Sequence, residues 1–168
     1  AELPDPVNFA DPQRLTLFLG ALRREQDIAP FLPALNQVLA EAGARLAVEV
    51  LFDRATFDAL ATPHKRFQGI LPYGEYRALM GRCDIAFLPL NDTPFNNYKS
   101  DLKFVEAGAH RLAVLASPVV YGGTVQDGTT GLIIRTAEDL RAALRRMLAQ
   151  PDAARALGDA ARGWVRQH

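Results

Sequence analysis

The chain has 168 residues, nineteen basic side chains balanced by nineteen acidic ones, 49% apolar residues and a single cysteine. That length suits one domain with a full core, and the balanced charge offers no field that would draw nucleic acid. Cys83 alone excludes an internal disulfide and fits a reducing, cytoplasmic compartment, and no run is long and apolar enough to span a membrane.

In chain order, residues 1–14 carry Pro4, Pro6 and Pro12 among polar residues and read as an extended connector. The first residue is Ala1 rather than methionine, which raises the expectation that another domain precedes the connector. Leu15–Leu19 is a short apolar run ending at Gly20, a strand that delivers the chain into a polar loop, Ala21–Asp27, where Arg23 and Arg24 stand side by side. Ile28, Phe31, Leu32, Leu35, Val38, Leu39 and Ala42 then make a helical face that Gly43 stops. Leu46–Phe52 reads as a strand, Arg54–Leu60 as a short helix, Arg66–Ile70 as a third strand and Tyr73–Arg82 as a helix. Asp84–Leu90 is a strand running out into Asn91 and Asp92.

The stretch from Pro94 to Ser117 carries the most information. Asn96, Asn97 and Tyr98 form a polar loop without apolar rhythm, and Ser100 is a residue type that caps helix starts. Leu102, Val105, Ala109 and Leu112 recur at helical steps, while Lys99, Lys103, Glu106 and His110 share another stripe of the same helix. Leu112–Ala116 is of buried-strand type. Turns follow at Tyr121–Gly123 and Gln126–Thr130, then a last strand at Gly131–Ile134. Thr136 caps a helix that buries Leu140, Leu144, Met147 and Leu148, and Pro151 opens a final alanine-rich helix through Leu157, Ala161 and Trp164.

Strand and helix alternate throughout, and the strands are short and apolar. The pattern predicts a doubly wound, Rossmann-like α/β domain: a mostly parallel sheet with helices on both faces. Ligands in such folds sit at the carboxyl ends of the strands, so the loops 20–27, 70–74, 91–100 and 117–124 should converge there. Spacing alone describes the polar stripe as the solvated face of a surface helix; its start at one of those loops favours a ligand. The helix start can offer N–H groups to a phosphate, Lys99 and Lys103 add charge, and Glu106 can accept from hydroxyls.

Other chemistries lack their signatures. The spaced glycines of a dinucleotide site, the phosphate-cradling loop, the serine elbow and paired cysteines are all missing. His64, His110 and His168 have no metal-ligand spacing, and no metal or other cofactor is expected. Arg141, Arg145, Arg146, Arg155 and Arg162 form a solvated face, of the kind that touches a membrane surface weakly at the inner face.

Taken together, the run of motifs resembles the donor-binding, C-terminal half of retaining GT-B-fold glycosyltransferases of the group 1, family 4-like type. The motifs are Gly20 to Arg24, Phe67 to Leu90, the helix from Phe104 to Ala109 and the turn from Asp127 to Leu132. Their order and spacing carry the resemblance over nearly the whole chain, the connector included. It implies a donor-binding domain at 15–168, a connector at 1–14, and an N-terminal acceptor domain outside this chain. By the same resemblance Glu106 holds the ribose hydroxyls, Arg23 or Arg24 reaches the diphosphate, and Lys99, Ser100 and Lys103 lie where the donor phosphates approach. Gly69 and Ile70 meet the base. Tyr98 stands where many members carry a second glutamate that touches the sugar. The implied substrate is a nucleoside-diphosphate sugar. A nucleotide-sugar epimerase of the same fold, or a non-catalytic nucleotide-binding module, are the alternative readings.

Overall fold

Short runs of buried apolar residues pair side by side because each strand satisfies its neighbour's backbone while both faces stay dry. In the computed structural model, which describes residues 2–20 and 25–168, six runs form one sheet. They are β1 (Leu15–Gly20), β2 (Leu46–Leu51), β3 (Lys65–Gln68), β4 (Ile85–Leu88), β5 (Ala113–Ala116) and β6 (Leu132–Ile133). The order is β3-β2-β1-β4-β5-β6, and each pairing is parallel, with Leu15 opposite Leu46 and Leu17 opposite Ile85. This is the expected doubly wound sheet, with its chain reversal between β1 and β4.

The longer helices are α1 (Leu32–Ala42), α2 (Arg54–Ala59), α3 (Tyr73–Gly81), α4 (Leu102–Ala109), α5 (Ala137–Ala149) and α6 (Pro151–Gln167). On one face α1 and α5 bury Leu35, Leu39, Leu140 and Leu144 against Leu17, Val48, Val50 and Leu115. On the other, α3, α4 and α6 bury Leu79, Phe104, Ala107 and Ala161 against Phe18, Ala86 and Val114. Helix α6 comes close enough that a Cβ on Gly158 would lie 2.3 Å from the Arg111 carbonyl oxygen. Only glycine permits that crossing.

Element ends depart from the sequence reading where a partner or a dihedral intervenes. Strand β2 stops at Leu51 because Phe52 turns to a φ of 71°, after which Asp53 caps α2 by accepting from the Thr56 N–H at 3.0 Å. Leu51 pairs with Gln68, so β3 has no neighbour to extend along and ends short of Ile70. Two expected loops are partly helical: Glu25–Ile28 forms a single turn, and so does Pro94–Asn97, where Thr93 accepts from the Asn96 N–H.

Residues 2–14 have no regular secondary structure, but they are fastened. The Asn8 amide donates to the Cys83 and Arg111 carbonyls, both at 2.9 Å. The Phe9 N–H donates to Asp84 at 2.6 Å. These contacts tie the segment to the amino ends of β4 and β5, leaving the carboxyl ends open.

Candidate functional site

Where a parallel sheet reverses its winding, successive connections leave in opposite directions and open a crevice at the carboxyl ends of the strands. Between β1 and β4 that crevice is lined by Leu19, Gly20, Val50, Phe87, Pro89 and Lys103. Lys103 brings α4 to its rim, and Pro89 brings the segment that leaves β4.

Two members of the polar stripe meet at this rim. The Lys103 ammonium donates to the Tyr76 hydroxyl at 2.8 Å, lies 4.7 Å from that ring's centroid, and stands 3.9 Å from a Glu106 carboxylate oxygen. The other Glu106 oxygen accepts from the Tyr73 hydroxyl at 3.4 Å. The rings of Tyr73 and Tyr76 stack with centroids 6.0 Å apart. Burial, and then the negative charge of Glu106, push the Tyr76 phenol above its ordinary range, so the hydroxyl keeps its proton at neutral pH. The contacts of Glu106 with Tyr73 and Lys103 are long for bonds to a charged group; the Tyr76 hydroxyl also interacts with it, but a carboxylate offers about four lone-pair sites. The carboxylate therefore retains acceptor capacity for hydroxyls brought by a ligand.

The stripe is not continuous. His110 sits at the far end of α4, buried against Gly81 with Arg77 nearby, and faces away from the crevice. Burial first, and then the Arg77 charge, hold its imidazole below the usual range. Lys99 leaves the Pro94–Asn97 turn with its N–H bonded to the Asn96 carbonyl at 3.0 Å and its ammonium 5.0 Å from the Phe95 ring centroid.

Ser100 is not the helix cap that its type suggests. Asp101 occupies that position, and its carboxylate accepts from the Thr124 hydroxyl at 2.6 Å, tying the start of α4 to the segment after β5. Ser100 only accepts from the Leu102 N–H at 3.4 Å.

The apolar stripe also differs. Leu102 is 57% exposed, whereas Phe104, Ala107 and Gly108 are buried. Contact with α6 decides which face turns inward: the Phe104 ring lies 5.5 Å from Trp164, and small residues at 107 and 108 admit the second helix.

Gly69 and Ile70 follow β3 on the same edge of the sheet, with Ile70 largely exposed. Tyr98 is 92% exposed to solvent. Arg23 and Arg24 lie outside the described residues.

The sequence reading missed Tyr73, Tyr76 and Asp27. The tyrosines signalled themselves only as aromatics on a predicted helix. Asp27 looked like one more polar loop residue, yet it is buried and accepts from the Asn91 N–H and the Asn96 amide. Among the described residues no group of three or more His, Cys, Asp or Glu side chains could hold a metal ion, and no helix is long and apolar enough to cross a membrane.

A family model described as glycosyl transferases group 1 matches residues 13–150. Among curated proteins no relative matches. Solved structures show the same fold. WaaG, a glycosyltransferase involved in lipopolysaccharide biosynthesis, is 20% identical with a TM-score of 0.73 over 93% of this chain and 44% of its own. HepE of Anabaena, solved with UDP and glucose, is 14% identical with a TM-score of 0.71 over 92% of this chain and 44% of its own. The C-terminal domain of a group 1 glycosyl transferase, LpcC from Francisella tularensis, is 14% identical with a TM-score of 0.73 and matches over 92% of this chain and 85% of its own. The chain thus spans less than half the length of WaaG or HepE.

Proposed function

Because the chain belongs to the group 1 glycosyl transferases, we propose that it is the donor-binding domain of an enzyme that moves a sugar from a nucleoside diphosphate to an acceptor. The acceptor site would lie in a preceding domain, with residues 1–14 as the connector. The observation that carries the reading is the cation–carboxylate pair at the rim of the crevice: Lys103 and Glu106, 3.9 Å apart, with Tyr73 and Tyr76 behind them. The family match favours transfer over epimerisation or a non-catalytic module.

In this reading Glu106 accepts from the two ribose hydroxyls, displacing the long contact with Tyr73. Gly69 and Ile70 border the base. The diphosphate lies toward Lys103, Lys99 and the segment at Ser100, and the family resemblance gives Arg23 or Arg24 to it as well. As the bond between sugar and diphosphate breaks, negative charge grows on the leaving phosphate. Ammonium groups held beside that position stabilise the growing charge. Tyr76 keeps the Lys103 ammonium in place while the charge develops. Tyr98 flanks the sugar end, where a neutral ring replaces a carboxylate and removes one acceptor for sugar hydroxyls.

That HepE was solved with UDP supports a nucleoside diphosphate as the ligand class. Neutralisation by lysine and arginine needs no divalent ion, so binding should survive a chelator. Cys83, a buried free thiol, fits a reducing compartment. A loose contact with an anionic membrane surface would draw only on residual charge, since Arg141, Arg145 and Arg155 are engaged by Glu138, Glu41 and Asp159. Calorimetric titration with UDP, ADP, GDP and CDP, each with and without chelator, tests the proposal. One of them should bind equally in both conditions; binding by none of the four would refute the reading, and loss on chelation would refute its metal-free form.

A further inference from the structure

Asp27 stands on one side of the chain reversal and Asn91 and Asn96 on the other, yet one carboxylate oxygen joins them. Its Oδ1 accepts from the Asn91 N–H at 2.9 Å and from the Asn96 side-chain amide at 3.0 Å. Asn96 donates as well to the Asn91 carbonyl at 2.9 Å, and the Asn91 side chain donates to the Gln26 carbonyl at 2.8 Å. Asp27 and Asn96 are 6% and 5% exposed. A buried carboxylate is costly unless hydrogen bonds meet it, so packing alone gives no reason for aspartate here. These bonds fix backbone instead. They hold the segment that leaves β4, and the Asn96 carbonyl in turn accepts from the Lys99 N–H at 3.0 Å.

We propose that Asp27 is a positioning residue, a latch across the crevice that holds residues 91–99 in the one conformation that presents Lys99 to the ligand. The latch rests on geometry alone; its effect on binding rests on the nucleotide reading above. Asp27 touches no ligand in this picture. It acts through Asn96, and its removal leaves Lys99 present but unaimed.

The test compares wild type with Asp27→Ala, Asp27→Asn, Lys99→Ala and the Asp27→Ala/Lys99→Ala double variant. Amide hydrogen exchange is measured without ligand, and affinity is measured with UDP, or with whichever diphosphate wild type prefers. Asp27→Ala should speed exchange of residues 91–100 about tenfold or more while β1, β4 and β5 keep their protection, as local opening predicts. It should weaken binding about tenfold, and Asp27→Asn, which keeps an oxygen acceptor at the same place, should stay within about threefold.

The decisive readout is the cycle. Lys99→Ala alone should cost about tenfold in affinity, but under about threefold in the Asp27→Ala background, because a misaimed lysine has little left to lose. Asn96→Ala cuts the same link from the other end and carries the same expectations if Asp27→Ala fails to fold. Unchanged exchange at 91–100 overturns the latch. Faster exchange with strictly additive affinity losses overturns the positioning role and leaves Asp27 a structural residue. If wild type binds no nucleoside diphosphate, the nucleotide reading falls, and the exchange measurement still decides the latch.

Discussion

Replacing Glu106 with alanine separates a ligand-holding carboxylate from a merely solvated one. In the free protein Glu106 meets Tyr73 at 3.4 Å and Lys103 at 3.9 Å, with the Tyr76 hydroxyl also beside it. A partly exposed ion pair of this kind contributes about 0–1 kcal/mol to stability. Lys103 keeps its 2.8 Å bond to Tyr76 when the carboxylate is gone, so no buried charge is stranded. Unfolding stability should therefore change by no more than about 1 kcal/mol.

Binding should respond differently. A hydrogen bond to a charged acceptor contributes about 1.5–3 kcal/mol, and two ribose hydroxyls can reach one carboxylate. Loss of even one such bond weakens affinity by about tenfold to a hundredfold. Calorimetry on wild type and Glu106→Ala, beside thermal melts of both, measures the two effects separately. A diphosphate whose ribose lacks both hydroxyls supplies the control: wild type should bind it poorly, and the variant should treat it like the ordinary ligand. Equal affinity of variant and wild type for the ordinary diphosphate would refute the role assigned to Glu106, and a large loss of stability would recast it as a structural residue.

Three further outcomes are expected. A polypeptide of these 168 residues should bind the donor nucleotide without transferring sugar to an added acceptor, since orienting two substrates together contributes about 7–11 kcal/mol to lowering a barrier; efficient transfer in a product assay would relocate the active site. Because burial and Arg77 hold the His110 imidazole below its usual range, the unfolded chain takes up that proton first. The stability His110 contributes is present above the unfolded value of about 6.5 and is lost as pH falls from there toward the folded value; denaturant titrations should show that slope, and His110→Gln should flatten it. Burial, followed by the nearby Glu49 and Asp84 charges, pushes the Cys83 thiol upward, so iodoacetamide should leave the folded protein unmodified at neutral pH and label it only after denaturant is added, as mass spectrometry would record.

Much of this molecule was legible in its sequence because the relevant physics is local. The apolar run from Leu15, the glycine stop at Gly43 and the reciprocal cap of Thr136 and Asp139 on α5 each act within a few residues. Strict alternation of strand and helix then leaves few topologies beyond a parallel, doubly wound sheet. The spacing of Lys103 and Glu106 put them on one helical stripe before any fold was known.

Tertiary structure decided what depends on distant partners. Leu102 has the residue type of a core position, but packing of Phe104 against Trp164 turns it outward. Asp101, rather than Ser100, takes the cap position of α4, and its side chain is held by Thr124, 23 residues away. His110 keeps the period of the stripe and leaves the site, because the helix ends beside α3. Asp27 meets Asn91 and Asn96 across 64 and 69 residues, and no periodicity encodes such a bond. Local rules specify which face a residue occupies on its own element; which element that face then meets is a property of the assembled sheet, where burial and hydrogen-bond satisfaction are settled together.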